Sequence, residues 1–203
     1  MKNIKIGAIA ILAMTMVNCK ENKKNAADTS TDGLDKSVDQ METNVREMKD
    51  DVMGETLTVM MTSKSNSNMS GEITFSQDEE EVEMKAVFKG LEEGSHAIHL
   101  HENADCTSDD GKSAGGHWNP TDEPHGKWGA EEGYHKGDIG NFTADADGNA
   151  TVEFSTDEWC IGCDDDTKNI IGRSVIVHKG QDDFTSQPSG DAGSRIGCAG
   201  ITK

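Results

Sequence analysis

The sequence predicts an all-β domain spanning residues 55–203, an antiparallel sandwich or barrel of about eight strands. Three observations predict it. Short runs of β-branched or alternating residues recur along this stretch, several of them separated by turn chemistry such as Asp147-Gly148-Asn149. None of its segments carries a helical period over a helix-like length. The chain as a whole has 22 glycines and only 4% aromatic residues, the composition of a loop-rich β domain with a modest core that metals or disulfides can brace.

The strand-like runs fall at 56–62, 72–76, 81–88, 97–101, 139–143, 150–154, 173–178 and 196–201. Between the fourth and fifth lies the exception, residues 102–138, rich in Gly, Asp and His and poor in strand character. A loop this long inside a compact domain is usually functional or braced.

Ahead of the domain, residues 1–18 read as an export signal. Lys2 and Lys5 form a positive n-region, and the apolar run from Ile6 to Val17 is too short to span a bilayer as a mature helix. Asn18-Cys19 resembles a loose lipobox, in which Cys19 is lipidated and becomes the new N-terminus. Cleavage nearby would instead leave Cys19 an ordinary thiol. Residues 19–54 then form a tether. Its first part, 20–33, is polar and reads as a solvated linker. Leu34, Val38, Met41, Val45, Met48 and Val52 follow at spacings of 4, 3, 4, 3 and 4, a heptad-like seam. Either a short oligomerising stalk or an amphipathic helix on its own domain fits that seam. The expected location is extracytoplasmic, in the cell envelope or periplasm on a membrane anchor, where disulfides persist.

The formal charge of −19 argues against nucleic acid as a partner. It also repels small anions, so an anionic substrate needs a local positive funnel.

All seven histidines lie in the β domain, and most fall in or beside the long loop. His99 and His101 alternate on a strand, so both rings can reach one metal while Ile98 and Leu100 face the core. His-x-His alone is a weak motif, equally the mark of an exposed strand pair. His117 and His125 flank Trp118-Asn119-Pro120, and His135 stands three residues before Asp138. Three imidazoles and a carboxylate form a reasonable tetrahedral zinc set, and imidazole-rich sites suit copper equally. Satisfied core histidines do not account for so many spaced rings.

His96-Ala-Ile-His-Leu-His-Glu resembles the copper-ligand strand of the copper/zinc superoxide dismutases. Gly115-Gly116-His117-Trp118-Asn119-Pro120, His125-Gly126 and His135-Lys136-Gly137-Asp138-Ile139-Gly140-Asn141 resemble that family's zinc loop in order. Gly172-Arg173-Ser174-Val175-Ile176-Val177-His178, Asp182-Asp183 and Gly193-Ser194-Arg195-Ile196-Gly197-Cys198 resemble its last copper ligand and electrostatic loop. The likeness covers roughly residues 56–203. It implies a Greek-key barrel with long metal-binding and electrostatic loops, and dismutation of superoxide by copper redox cycling. It implies copper on His99, His101, His117 and His178. It also implies zinc on His117, His125, His135 and Asp138, with His117 bridging the two ions. Asp182 would hydrogen-bond His99 and His125 and orient both. Arg195 would stand at the channel mouth, with Lys112, Lys127, Lys136 and Lys179 as further candidates for the funnel. His96 matches a structural position.

Apart from Cys19, four cysteines allow three pairings. The resemblance pairs Cys106 with Cys198. Cys160-Ile161-Gly162-Cys163 departs from the family pattern, and its readings are a local disulfide or metal capture. A copper-binding or copper-donating module on the same fold is the competing function. Such a module would lack some copper ligands or the arginine.

Overall fold

The computed structural model describes residues 54–203. The expected signal, Cys19 and the heptad-like segment lie outside the described residues. Eight strands follow in order: β1 (Thr56–Ser63), β2 (Ser70–Asp78), β3 (Glu81–Lys89), β4 (Gly94–His101), β5 (Gly140–Ala144), β6 (Ala150–Thr156), β7 (Ser174–His178) and β8 (Arg195–Gly200). They hydrogen-bond in the order β5-β4-β7-β8-β1-β2-β3-β6, every pair antiparallel. The β3–β4 and β6–β7 connections cross between the halves, which makes the topology a Greek key and leaves β5 beside β6 in a nearly closed barrel.

Alternation builds the simpler half. Along β3, Val82, Met84, Ala86 and Phe88 turn inward while Glu81, Glu83, Lys85 and Lys89 face water. The other half is different, because loops cover its outer face. In β7 every residue is buried: Val175 and Val177 enter the main core, and Ile176 packs outward with Ala114 and Cys198. In β4 the same division sends Ile98 and Leu100 inward and His99 and His101 outward, beneath the loops.

The strand β4 begins at Gly94, three residues before the expected start, because Gly94, Ser95 and His96 continue the ladder to β5. The long loop holds a single 3₁₀ turn at Lys112–Ala114 and is otherwise irregular. It is pinned at several points. Glu102 accepts the Gly116 amide, Trp118 donates its backbone N–H to Leu100, and Gly137 donates to Trp118 while Leu100 donates to Gly137. Gly137 must be bare here, since a Cβ would strike the Leu100 carbonyl.

Candidate metal centre

Two buried clusters share one residue. In the first, His99 and His101 rise from the same face of β4, and His178 comes from the end of β7, the strand paired with β4. His117 reaches them through an isolated bridge to His101. One ring nitrogen from each of the four lies within 4.8 Å of every other. The second cluster, His117, His125, His135 and Asp138, meets the same limit. Asp138 is its hub, with His117 Nδ1 at 2.9 Å, His125 Nδ1 at 3.0 Å and His135 Nδ1 at 3.3 Å. Its Oδ2 also accepts the backbone N–H of His135 and Gly126.

Four of the rings, His99, His101, His125 and His178, are turned by a contact on the far side. His101 Nδ1 donates to the Gly115 carbonyl at 3.0 Å, and His178 Nδ1 to the Gly193 carbonyl at 3.3 Å. Nε2 of His99 and Nε2 of His125 donate to the two oxygens of Asp182, at 2.8 and 2.9 Å. Those contacts aim the opposite nitrogens inward. Nδ1 of His99, Nε2 of His101, Nε2 of His117 and Nε2 of His178 are buried without a hydrogen-bond partner. Nδ1 of His125 and Nδ1 of His135 are orphaned likewise.

Buried polar atoms left unpaired cost about 1–3 kcal/mol each, so six converging orphans need something to bind. A metal ion satisfies them. Around Asp138 the donor separations of 2.9–3.3 Å approach the edge of a tetrahedron built on zinc–nitrogen bonds of about 2.0–2.1 Å. The all-imidazole cluster suits copper. The residues therefore fit both ions.

Comparison with known proteins gives the same direction. The copper/zinc superoxide dismutase (SODC) family model matches residues 69–201. The chain belongs to the copper/zinc superoxide dismutase family. It is a copper- and zinc-dependent oxidoreductase of that family. The extracellular superoxide dismutase [Cu-Zn] of Brugia pahangi is 35% identical over 150 residues, 69% of this chain and 72% of that protein. The superoxide dismutase [Cu-Zn] of Onchocerca volvulus is 37% identical over 142 residues, 64% of this chain and 86% of the relative. Among solved structures, a double mutant of a superoxide-dismutase-like protein from Bacillus subtilis superposes with a TM-score of 0.64. It is 29% identical, over 72% of this chain and 97% of that one.

Within this dismutase fold, several supports had no signal in the sequence. Asn141 holds the backbone of Asp182 from both sides, donating to its carbonyl at 2.8 Å and accepting its N–H at 2.7 Å. Gln187 does the same for the backbone of His125, at 2.9 and 2.8 Å. Gly190, in the left-handed region at φ +67°, lies against this bridge. A Cβ there would collide with the Asp182 carboxylate and come within 2.7 Å of His125 Nε2. His96 belongs to neither cluster; its ring nitrogens meet the carbonyls of His178 and Glu92, tying β4 to the end of β7 and to the loop that precedes β4.

The field inside the site follows from burial and pairing. Burial first, then the neighbouring rings and Arg195, hold His101 well below the usual imidazole range. The same forces take His178 down to about 3. Burial also brings His117 down to about 4 against the opposing pull of Asp138. Burial acts on His125 too, but the adjoining carboxylates of Asp138 and Asp182 outweigh it and push it up to about 9. Asp138 and Asp182 would be raised by burial, yet their histidine partners hold both far below the carboxylate range.

Arg195 is half-buried at the start of β8, and Nη1 donates to the Gly111 carbonyl at 2.8 Å. Its charge reaches His101 and His178, where it opposes protonation. Three of the four lysines weighed for a funnel sit in ion pairs. Lys112 pairs with Asp110, Lys179 with Glu92 and Lys136 with Glu158, so each is largely neutralised where it stands. Lys127 is exposed on the loop. Cys106 is bonded to Cys198, joining residues 92 apart, and Cys160 to Cys163.

Proposed function

We propose that this dismutase converts two superoxide anions and two protons to dioxygen and hydrogen peroxide with copper on His99, His101, His117 and His178. Zinc would sit on His117, His125, His135 and Asp138. The six orphaned, inward-facing ring nitrogens carry this reading. Copper supplies the electron exchange, taking one electron from the first anion and returning it to the second, whereas zinc has no redox chemistry.

The protein's own groups do the rest. His117 has one ring nitrogen in each cluster, and Nε2 can hold a proton and hand it to the departing peroxide; water supplies the other proton. Asp138 offsets positive charge in the zinc cluster, and Asp182 keeps His99 and His125 turned so that neither imidazole can rotate away. Arg195 offers the entering anion a fixed, always-charged group with several donors.

The extracellular relatives and the two disulfides support an exported protein. Residues 1–18 would direct export, lipidated Cys19 would anchor the chain, and 19–54 would tether the 55–203 domain to the membrane. Its task there would be to protect the cell envelope from extracytoplasmic superoxide.

The test combines metal analysis of the exported protein with a superoxide-consumption assay. One copper and one zinc per chain with activity that depends on copper is the expected result. Both metals without activity would favour the copper-donating module. Mass spectrometry of the mature N-terminus reads the lipid on Cys19 separately.

A further inference from the structure

The second disulfide lies beside a contact that the dismutase chemistry does not use. Zinc-loop residues on either side of His135 are gripped by the segment just before Cys160. Glu158 takes the Tyr134 hydroxyl at 2.6 Å on one carboxylate oxygen and pairs with the Lys136 ammonium through the other. Trp159 Nε1 donates to the Lys136 carbonyl at 2.8 Å. Trp128, three residues past His125, packs edge-on against both Phe154 and Trp159, with ring centroids 4.9 and 5.9 Å away, and lies 4.9 Å from Tyr134. Both sequence neighbours of His135, and Trp128 a few residues past His125, thus rest on one short stretch of chain.

That stretch is itself held by the Cys160–Cys163 turn. The backbone of Cys160 bonds Lys168 and Ile170, and the Ile161 N–H reaches Gln77 Oε1 on β2 at 2.7 Å. Asn169 ties the turn shut from outside, accepting the Gly162 N–H and donating to the Cys163 carbonyl. Trp159, Cys160 and Ile161 are buried, whereas Cys163 is exposed. A reductant can therefore reach one sulfur of this pair. The Cys106–Cys198 bond is less open, with Cys198 fully buried and Cys106 half-buried.

We propose that Glu158 and Trp159 are positioning residues for the zinc ligand His135, and that the Cys160–Cys163 disulfide keeps them engaged as a redox-dependent latch on zinc. The inference rests on the zinc assignment proposed above. To open the latch, a thiolate of an external dithiol attacks the exposed Cys163 sulfur and Cys160 leaves as the thiolate. The second thiol of the reductant then releases Cys163, so the dithiol ends as a disulfide and the protein gains two thiols. With the turn open, Trp159 and Glu158 lose their fixed approach to Tyr134 and Lys136, and His135 loses the frame that orients it.

The experiment follows zinc release from the copper- and zinc-loaded protein to a chromogenic chelator, with copper retention read from its visible spectrum. The samples are the native protein, Cys160→Ser/Cys163→Ser, Glu158→Gln, Trp159→Phe, and native protein treated with a dithiol until mass spectrometry shows only Cys160 and Cys163 reduced. Faster zinc release is expected in all four altered samples, by about tenfold, with copper retained and, except in Trp159→Phe, whose smaller ring leaves a gap in the core, the urea midpoint close to native. Unchanged release from the reduced and double-serine proteins overturns the latch. Parallel loss of zinc, copper and stability also overturns it, as general loosening. Native protein that holds no zinc, or holds it when His135 is replaced, overturns the zinc assignment itself, a failure distinct from that of the latch.

Discussion

Replacing Asp182 with asparagine isolates the carboxylate that spans the two clusters. Both its oxygens are used at 2.8 and 2.9 Å, one on His99 and one on His125, and the residue is buried. Asparagine offers one acceptor oxygen and a donating NH₂. One ring keeps its partner, while the other directs an N–H at the amide hydrogens. With the metals on the proposed ligands, neither ring could escape by changing tautomer, because Nδ1 would have to stay free of hydrogen. The loss is one hydrogen bond to a charged group together with an unsatisfied buried donor, about 1.5–3 kcal/mol. Metal affinity should therefore fall about 10- to 100-fold, as for other partners that orient metal-bound imidazoles. Chelator competition on Asp182→Asn reads the zinc loss, and the visible copper spectrum reads the change at His99. If zinc affinity and the copper spectrum both match the native protein, Asp182 does not orient these rings and the reasoning fails.

Arg195→Ala should lower kcat/KM for superoxide about three- to tenfold at low ionic strength and flatten its salt dependence, measured as superoxide decay at increasing salt; equal curves would remove the guiding role. The metal-free protein should be most stable near pH 6.5. His101, His117 and His178 are held down in the fold, to about 4 for His117 and about 3 for His178, so below 6.5 the unfolded chain takes up protons that the fold refuses. Each then removes about 1.4 kcal/mol of stability per pH unit until its folded value is reached. His125 is raised to about 9, so its contribution is full below 6.5 and disappears as pH rises through 9. Urea titrations between pH 4 and 9 check both limbs, and a flat profile contradicts them. Opening the Cys106–Cys198 bond, which joins residues 92 apart, should cost about 4–5 kcal/mol in the chain-entropy model. Urea unfolding of Cys106→Ser/Cys198→Ala reads that loss, and a change under 1 kcal/mol, about the scale of an ordinary point substitution, would show the clamp to be idle.

The strands were legible because β1, β2, β3 and β6 have one wet face, and a wet face writes its alternation into the sequence. The start of β4 was less so: Gly94, Ser95 and His96 become strand only through pairing with Ala144, Thr143 and Phe142 of β5, far off in sequence. The metal clusters are a mixed case. Histidine and aspartate advertise themselves by type, so His99 to Asp138 stood out, and strand geometry already placed His99 beside His101. Asn141, Gln187, Gly190, Glu158 and Trp159 did not stand out, because each works through a backbone group or a neighbour brought close only by the fold. Amides, glycines and tryptophans are common, and their sequence separations from the residues they hold carry no period. Lys112, Lys136 and Lys179 show the converse limit: they were readable as positive charges, but their acidic partners Asp110, Glu158 and Glu92 could be assigned only in three dimensions.

Those pairings bear on how an acidic protein admits an anion. The formal charge of −19 sets a repulsive background, but such a field is screened over about 10 Å in ordinary salt. What the substrate meets at the end of its approach is local. Lys112 and Lys179 are exposed and bound to carboxylates, so each pair presents little net charge. Arg195 differs in being half-buried and fixed by the Gly111 carbonyl, and a neutral acceptor leaves its charge intact. Cys106–Cys198 ties the loop just before Gly111 to the strand that carries Arg195, so the same bond that stabilises the fold also holds this cation and its acceptor together. Removing the disulfide should therefore resemble a mild form of Arg195→Ala in its salt dependence, beyond its effect on stability. With Arg195 in its proposed role, substrate selection and the structural clamp would be coupled through one short stretch of β8.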